Sequence, residues 1–351
     1  MLKTMQAPAL AAFLLAGVPA ADARPAGMPV PQQPPPRPDG KPADMSKPVQ
    51  VFILLGQSNM VGMGKIAGGE GSLDNAVKNK GKYPYLVDDA GKWSERKDVR
   101  FVRFMSGKGP LNNEWMAVKS GTIGPEFGIG HVVGNAVDAP VLILKACIGN
   151  RSLGWDLLPP GSERFEADGK IYAGYKDSPD SWAKGTEPKP IGWYAGKQYD
   201  DDTADAKKVL AELDKYYPGA KGGEVAGFFF WQGEKDGGNA VHAGRYEQNL
   251  VRFITQLRKD FKAPNAKFVL ATLGEAVKGA GGNGGMVLNA QLAVDGAAGK
   301  HPEFKGNVAT VYTHPLSLGG SGNGHYGGNA ETYMNVGEAM GKAMVELLKD
   351  R

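Results

Sequence analysis

Five short apolar runs punctuate the chain, at residues 49–55, 141–147, 225–231, 267–273 and 308–313. Each is unbroken rather than alternating, as strands read when both of their faces are buried in a parallel sheet. Helical patterns lie between and after them. Residues 125–137 open with a proline, which suits the first turn of a helix. Residues 203–217 gather Val209, Leu210 and Leu213 on one side and stop at Pro218-Gly219. Residues 246–261 space Leu250, Phe253, Ile254 and Leu257 along one face, and residues 286–298 and 330–348 look alike. The alternation predicts an α/β fold, with a doubly wound, mainly parallel five-stranded sheet and helices on both faces.

Two stretches break this rhythm, residues 60–121 after the first run and 151–201 after the second. They are expected as long loop insertions, and loops of that length in a compact domain usually carry function. Both follow the carboxyl end of a predicted strand, the edge at which open α/β sheets bind ligands. The second insertion is crowded with rings: Trp155, Tyr172, Tyr175, Trp182, Trp193, Tyr194 and Tyr199. Such rings either stack on sugars or pack the insertion onto the sheet.

The first residues read as a leader rather than as fold. Lys3 precedes an apolar stretch at 7–18, and Ala21-Asp22-Ala23 supplies small residues for cleavage. Residues 1–23 are therefore expected to be a secretory signal, with no cysteine nearby for a lipid anchor. Residues 24–48 are rich in proline and read as a linker, leaving 49–351 as one domain. The protein is thus expected to be exported, periplasmic or extracellular. No other segment approaches the ~20 apolar residues of a membrane span. The formal net charge of +4 is dispersed, which gives no footprint for nucleic acid. Cys147 is the single cysteine, so no intrachain disulfide can form, and its place in an apolar run reads as a small buried hydrophobe.

Chemistry concentrates at the strand ends. The first run passes into "GQSNM", placing Ser58 just beyond a buried strand at a helix start, where backbone N–H groups can converge on an oxyanion. A serine there also serves as a helix cap. The later Gly62-Met63-Gly64-Lys65-Ile66-Ala67 stands too far from the strand for a dinucleotide turn and lacks the Ser or Thr of a P-loop. The second run leads to Gly149 and Arg151. The third leads to "WQGEKD", with Gln232, Glu234 and Asp236. His325 stands in the glycine-rich "SGNGHYGGNAETY" just before the last helix. Nucleophile, donors and base on one sheet edge are the parts of acyl transfer. His131, His242, His301 and His314 show no metal-ligand spacing, so neither a metal nor a cofactor is expected.

"GQSNM", "WQGE" and "GHYGGNAETY" together resemble the SGNH/GDSL hydrolase superfamily. Within it they look like the sialate O-acetylesterase-like domain and the related family-six carbohydrate esterases, over most of the chain from about Val49. The resemblance implies a three-layer, flavodoxin-like α/β/α domain. It implies Ser58 as nucleophile and oxyanion donor, Gly149 and Gln232 as further donors, and His325 as general base. One position departs. Relatives carry an aspartate three residues before the histidine, where this chain has Gly322. Either a Ser–His dyad operates, or Glu234 or Asp236 substitutes as the orienting carboxylate, or activity is lost. Arg151 and Trp155 are candidate contacts to the sugar.

The expectation is an exported serine esterase that removes O-acetyl groups from a carbohydrate, sialic acid or an acetylated polysaccharide. The alternatives are a non-catalytic carbohydrate-binding protein and a lipid or thioester hydrolase on the same fold.

Overall fold

The computed structural model describes residues 34–105, 109–119 and 121–349. The expected signal at 1–23 and the start of the expected linker lie outside the described residues. Residues 34–48 contain no helix or strand. They run along the domain, where Asn135 donates to the Pro36 carbonyl at 2.7 Å and Lys47 pairs with Asp138 at 2.5 Å.

All five apolar runs form strands of one sheet, but the sheet has seven. In chain order these are β1 (Val49–Gly56), β2 (Glu95–Phe104), β3 (Pro110–Ala117), β4 (Val141–Ala146), β5 (Gly223–Trp231), β6 (Lys267–Ala271) and β7 (Val308–Val311). Their order is β7-β6-β5-β1-β4-β2-β3, parallel throughout except for the antiparallel edge pair β2–β3. The five-stranded expectation is thereby corrected. β2 and β3 fall inside the stretch read as a loop, because β2 is laced with charge: "ERKDVRFVRF". Its Arg96 and Arg100 are nonetheless buried, Arg96 bound to Asp98 and Asn135 and Arg100 to the Tyr216 carbonyl. β3 starts with a proline, which a sheet tolerates at an edge.

The second insertion is also more ordered than a loop. It carries a small antiparallel sheet from Phe165–Ala167, Lys170–Tyr172 and Ser181–Ala183.

The expected helices are present as α1 (Glu126–Ala136), α2 (Lys197–Ala211), α3 (Ala240–Asp260), α4 (Gly282–Ala293) and α5 (Ala330–Lys349). Asn239 caps α3 by accepting from the Val241 and His242 N–H groups, and Asn329 does the same for α5. Strand residues divide strictly by face. Phe52, Leu54, Phe229 and Trp231 join an apolar cluster with α1 and α5. Val51, Ile53, Leu55, Phe228 and Phe230 join another with α2, α3 and α4. That is the alternation of side chains along a strand covered on both sides. Among the described residues, no helix is long and apolar enough to cross a membrane.

β1 has β4 on one side and β5 on the other, with the strands before β5 in the chain all on the β4 side and those after β5 beyond it. The crevice between the carboxyl ends of these strands is a topological switch point, where ligands bind in such sheets. Above it α1 and α5 meet through backbone. A Cβ on Gly128 would stand 2.5 Å from the Glu338 nitrogen, and one on Gly337 2.3 Å from the Pro125 carbonyl oxygen. Gly337→Ala should therefore force the two helices apart and lower stability by roughly 1–3 kcal/mol, read from chemical denaturation midpoints.

Candidate active site

Gly56 ends β1 with φ 147°, and a Cβ on it would lie 2.2 Å from the Trp231 carbonyl oxygen. Only glycine lets the chain turn this tightly against β5. The next residues form a single helical turn, Ser58–Val61, entered through Gln57. Ser58 is its first residue, 8% exposed, and its hydroxyl has no hydrogen-bond partner among the described residues. Gly149, after β4, packs directly on it: a Cβ there would stand 3.5 Å from the Ser58 Cβ. Asn150 then turns the chain with φ 56°.

The motif around Ser58 reads the motif after β5 through two side-chain amides. Gln57 Nε2 donates to one oxygen of Glu234 and Asn59 Nδ2 to the other, both at 2.6 Å. Burial pushes the Glu234 carboxyl up to about 7, and the charge of Glu275 adds to the push, while hydrogen bonds from its own N–H and Asn59 oppose it.

Asn59 also reaches the histidine loop. Its Nδ2 donates to the Gly322 carbonyl at 3.0 Å, and its Oδ1 accepts from the Tyr333 hydroxyl at 3.0 Å. The same hydroxyl lies 3.4 Å from the His325 carbonyl. His325 and Tyr326 both have left-handed backbone, φ 54° and 53°. Such strain persists only where neighbours enforce it. Here Tyr326 is the anchor, fully buried and stacked on Trp231 at 5.9 Å between ring centroids. The His325 imidazole itself is half-buried and has no hydrogen-bond partner among the described residues.

Position 322, where an aspartate is expected from the resemblance, is already crowded by acids. The Gly322 N–H donates to Glu275 at 3.0 Å. A Cβ on Gly322 would meet a Glu275 oxygen at 2.6 Å and a Glu234 oxygen at 2.8 Å. Two carboxylates supplied from elsewhere stand where the aspartate would extend. Sequence reasoning misses Glu275 because it sits on an exposed loop, 47 residues from Gly322.

Asp236 and Gln232 face the other way round the crevice. Asp236 accepts from the Leu153 and Gly154 N–H groups, each at 2.8 Å, and from Gln232 Nε2 at 2.6 Å. It braces the loop after β4, and none of these bonds goes to the histidine loop. Gln232 is fully buried, with its second amide proton on the Arg151 carbonyl at 2.9 Å and its oxygen on the Tyr246 hydroxyl at 2.9 Å.

Arg151 and Trp155 come together in a cleft of about 390 Å³ beside Gly149, which Asn150, Asp180, Lys235 and His242 also line. The Arg151 guanidinium stacks 4.0 Å from the Trp193 ring centroid. The remaining rings of the insertion mostly pack it. Trp182 is buried with Leu158, Ala173 and Ala195, Tyr199 lies under α3, and Tyr175 and Tyr194 share Asp200. Cys147 is buried, and burial pushes its thiol up to about 12. Among the described residues, no group of acidic, histidine or cysteine side chains could hold a metal.

A strand-end serine thus stands against a glycine, beside a histidine loop that Asn59 ties to the turn of that serine. The chain belongs to the family described as carbohydrate esterase, sialic acid-specific acetylesterase, whose model matches residues 48–346. It is thus a carboxylic ester hydrolase of the carbohydrate acetylesterase class. No curated protein matches the chain significantly. Solved structures similar to it include a carbohydrate acetylesterase from Xanthomonas citri, at 13% identity and TM-score 0.50, covering 86% of this chain and 57% of that one. NanS stands at 13% identity and TM-score 0.47, covering 87% and 98%. A protein from Arabidopsis thaliana stands at 17% identity and TM-score 0.49, covering 85% and 98%. At such identity the likeness to the Xanthomonas structure is one of fold.

The raised Glu234 pKa has a measurable sign. The folded protein keeps this proton where the unfolded chain has released it, so the contribution is fully present below about pH 4.5 and is lost as pH rises through about 7. Comparing the thermal midpoints of wild type and Glu234→Gln across that range should show the wild type losing ground as pH rises. A difference that grows in its favour would contradict the assignment.

Proposed function

We propose that the protein is an exported SGNH-type serine esterase that removes acetyl groups from a carbohydrate, with Ser58 as nucleophile and His325 as base. The observation that carries this reading is the junction at Asn59. One side chain next to Ser58 binds both Glu234 and the backbone three residues before His325. Nucleophile and base loop are thereby held in register although 267 residues part them, as 325 less 58.

In the proposed reaction Ser58 Oγ attacks the acetyl carbonyl while His325 takes its proton. The oxyanion that develops is met by the N–H groups of Ser58 and Gly149; each such donor is worth ~10²–10³ in turnover. Gln232 is the third donor in this scheme, for which one amide proton must turn from the Arg151 carbonyl. His325 then protonates the leaving sugar oxygen. Water attacks the acetyl-serine, giving its proton to His325, and acetate leaves as Ser58 is reprotonated.

Glu234 is preferred over Asp236 as the orienting carboxylate, since it lies against the histidine loop and Asp236 against the loop after β4. In the resting arrangement it braces His325 through Asn59 and Gly322 rather than through the ring. The strand order about β1 and the helices on both faces support the three-layer, flavodoxin-like description. The cleft of Arg151 and Trp155 is the proposed sugar site, and export rests on the reading of residues 1–23 as a secretory signal.

Ser58→Ala should lower acetate release from an acetylated sugar by roughly 10⁴–10⁶-fold while the variant keeps the wild-type melting profile. Undiminished release from that folded variant would sink the proposal. His325→Ala should fall comparably, because nucleophile and base act as a unit.

A further inference from the structure

A fully buried lysine lies beneath the nucleophile turn and takes no part in the scheme above. Lys145 sits near the end of β4, in the otherwise apolar "VLILKA", beside Leu54 of β1. Its side chain is 0% exposed, and its partner Glu126, the first residue of α1, is 4% exposed. Burying two charges costs desolvation that an apolar pair of the same volume would avoid. Burial draws the Lys145 pKa below the ordinary lysine value, with Glu126 opposing.

The contacts say what the pair holds. Lys145 Nζ donates to Glu126 and, at 3.0 Å, to the carbonyl of Val61. Val61 is the last residue of the turn that begins at Ser58. Two backbone bonds close that turn, Val61 N–H to Gln57 and Gly62 N–H to Ser58, each at 2.9 Å. The other Glu126 oxygen accepts from the Gly124 N–H at 3.0 Å. Gly124 in turn backs onto the end of the turn, where a Cβ on Gly62 would lie 2.3 Å from the Gly124 nitrogen. The carbonyl end of a helical turn otherwise lacks partners, and so short a turn is not stable alone.

We propose that Lys145, neutralised by Glu126, is a positioning residue that clamps the Val61 carbonyl and so fixes Ser58 against Gly149. The proposal rests on the serine-esterase reading of the site. It distinguishes two roles of the pair, filling the space under β1 and α1 or locating the nucleophile.

The test removes both charges together, since Lys145→Met alone would leave Glu126 buried and unpaired. In Lys145→Met/Glu126→Leu the melting temperature should stay within roughly 5 °C of wild type. Its kcat on p-nitrophenyl acetate should fall about 10²-fold with KM changed less than about threefold, the pattern of a misplaced nucleophile. Amide hydrogen exchange across residues 57–64 should rise while the remaining sheet keeps its protection. A double variant as stable, as active and as protected as wild type would overturn the clamp.

If the double variant does not fold, Glu126→Gln decides, because the glutamine oxygen can still accept from Lys145 Nζ and leaves the lysine hydrogen-bonded. It leaves the lysine bond to Val61 in place, so kcat should stay within about tenfold and protection at 57–64 should persist. A hundredfold loss in that folded variant would overturn the assignment to the lysine–carbonyl bond. A wild type without any turnover would count against the esterase reading alone, because exchange at 57–64 reports on the clamp without catalysis.

Discussion

The Glu234 carboxylate, shared between the two side-chain amides that flank Ser58, is the contact on which the site's arrangement depends. It joins the turn after β1 to the turn after β5, and Asn59 carries the connection on to the histidine loop. A carboxylate among amides gains charge-assisted hydrogen bonds, roughly twice as strong as neutral ones. That gain opposes the burial that pushes its pKa up. Losing either amide would take a donor from a carboxylate that burial already disfavours, a larger penalty than the bond's net worth. The uncharged residues on either side of the serine are therefore as much part of the architecture as the serine.

The sheet makes this contact possible. β1 lies between β4 and β5, so the loops that leave these three strands open at one edge. Gly56 allows the chain to turn against the Trp231 carbonyl, and Trp231 also receives the ring of Tyr326. A single residue at the end of β5 thus sets the height of the Ser58 turn on one side and of the histidine loop on the other. On the far side of the crevice Asp236 gathers the N–H groups of Leu153 and Gly154. The three residues of "WQGEKD" with chemistry divide their work between the two walls: Glu234 holds one, Asp236 the other, and Gln232 lies between them.

Much of this fold is legible in the sequence, because a strand buried on both faces must be apolar at every position. The five such runs coincide with strands to within two residues at either end. β2 defeats that rule by burying Arg96 and Arg100 on partners from distant segments, which no local pattern announces. Helix starts are harder to place for a related reason. α3 begins at Ala240 because Asn239 caps it, six residues before the apolar spacing becomes clear at Tyr246. At the site, the strand ends point to Ser58, Gly149, Gln232 and His325. Gln57 and Asn59 stand in the same motif, but nothing local tells a bridging amide from a mere flank of the serine. Glu275 has no signal at all, since its meaning comes from a contact with Gly322 across the crevice. Lys145 is hidden inside an apolar run.

The contact between Glu275 and Gly322 also couples two positions of the chain. The hydrogen of Gly322 takes the place of a side chain that would run into the oxygens of Glu275 and Glu234. Residues 275 and 322 are therefore alternative sources of negative charge for one small volume, and they cannot change independently. An acid at 322 would be disfavoured by like charge unless position 275 had first become neutral or small. The effect of each substitution takes its sign from the state of the other. A histidine loop built with one carboxylate supply is in this way locked out of the other by any single step, however close the two arrangements lie in space.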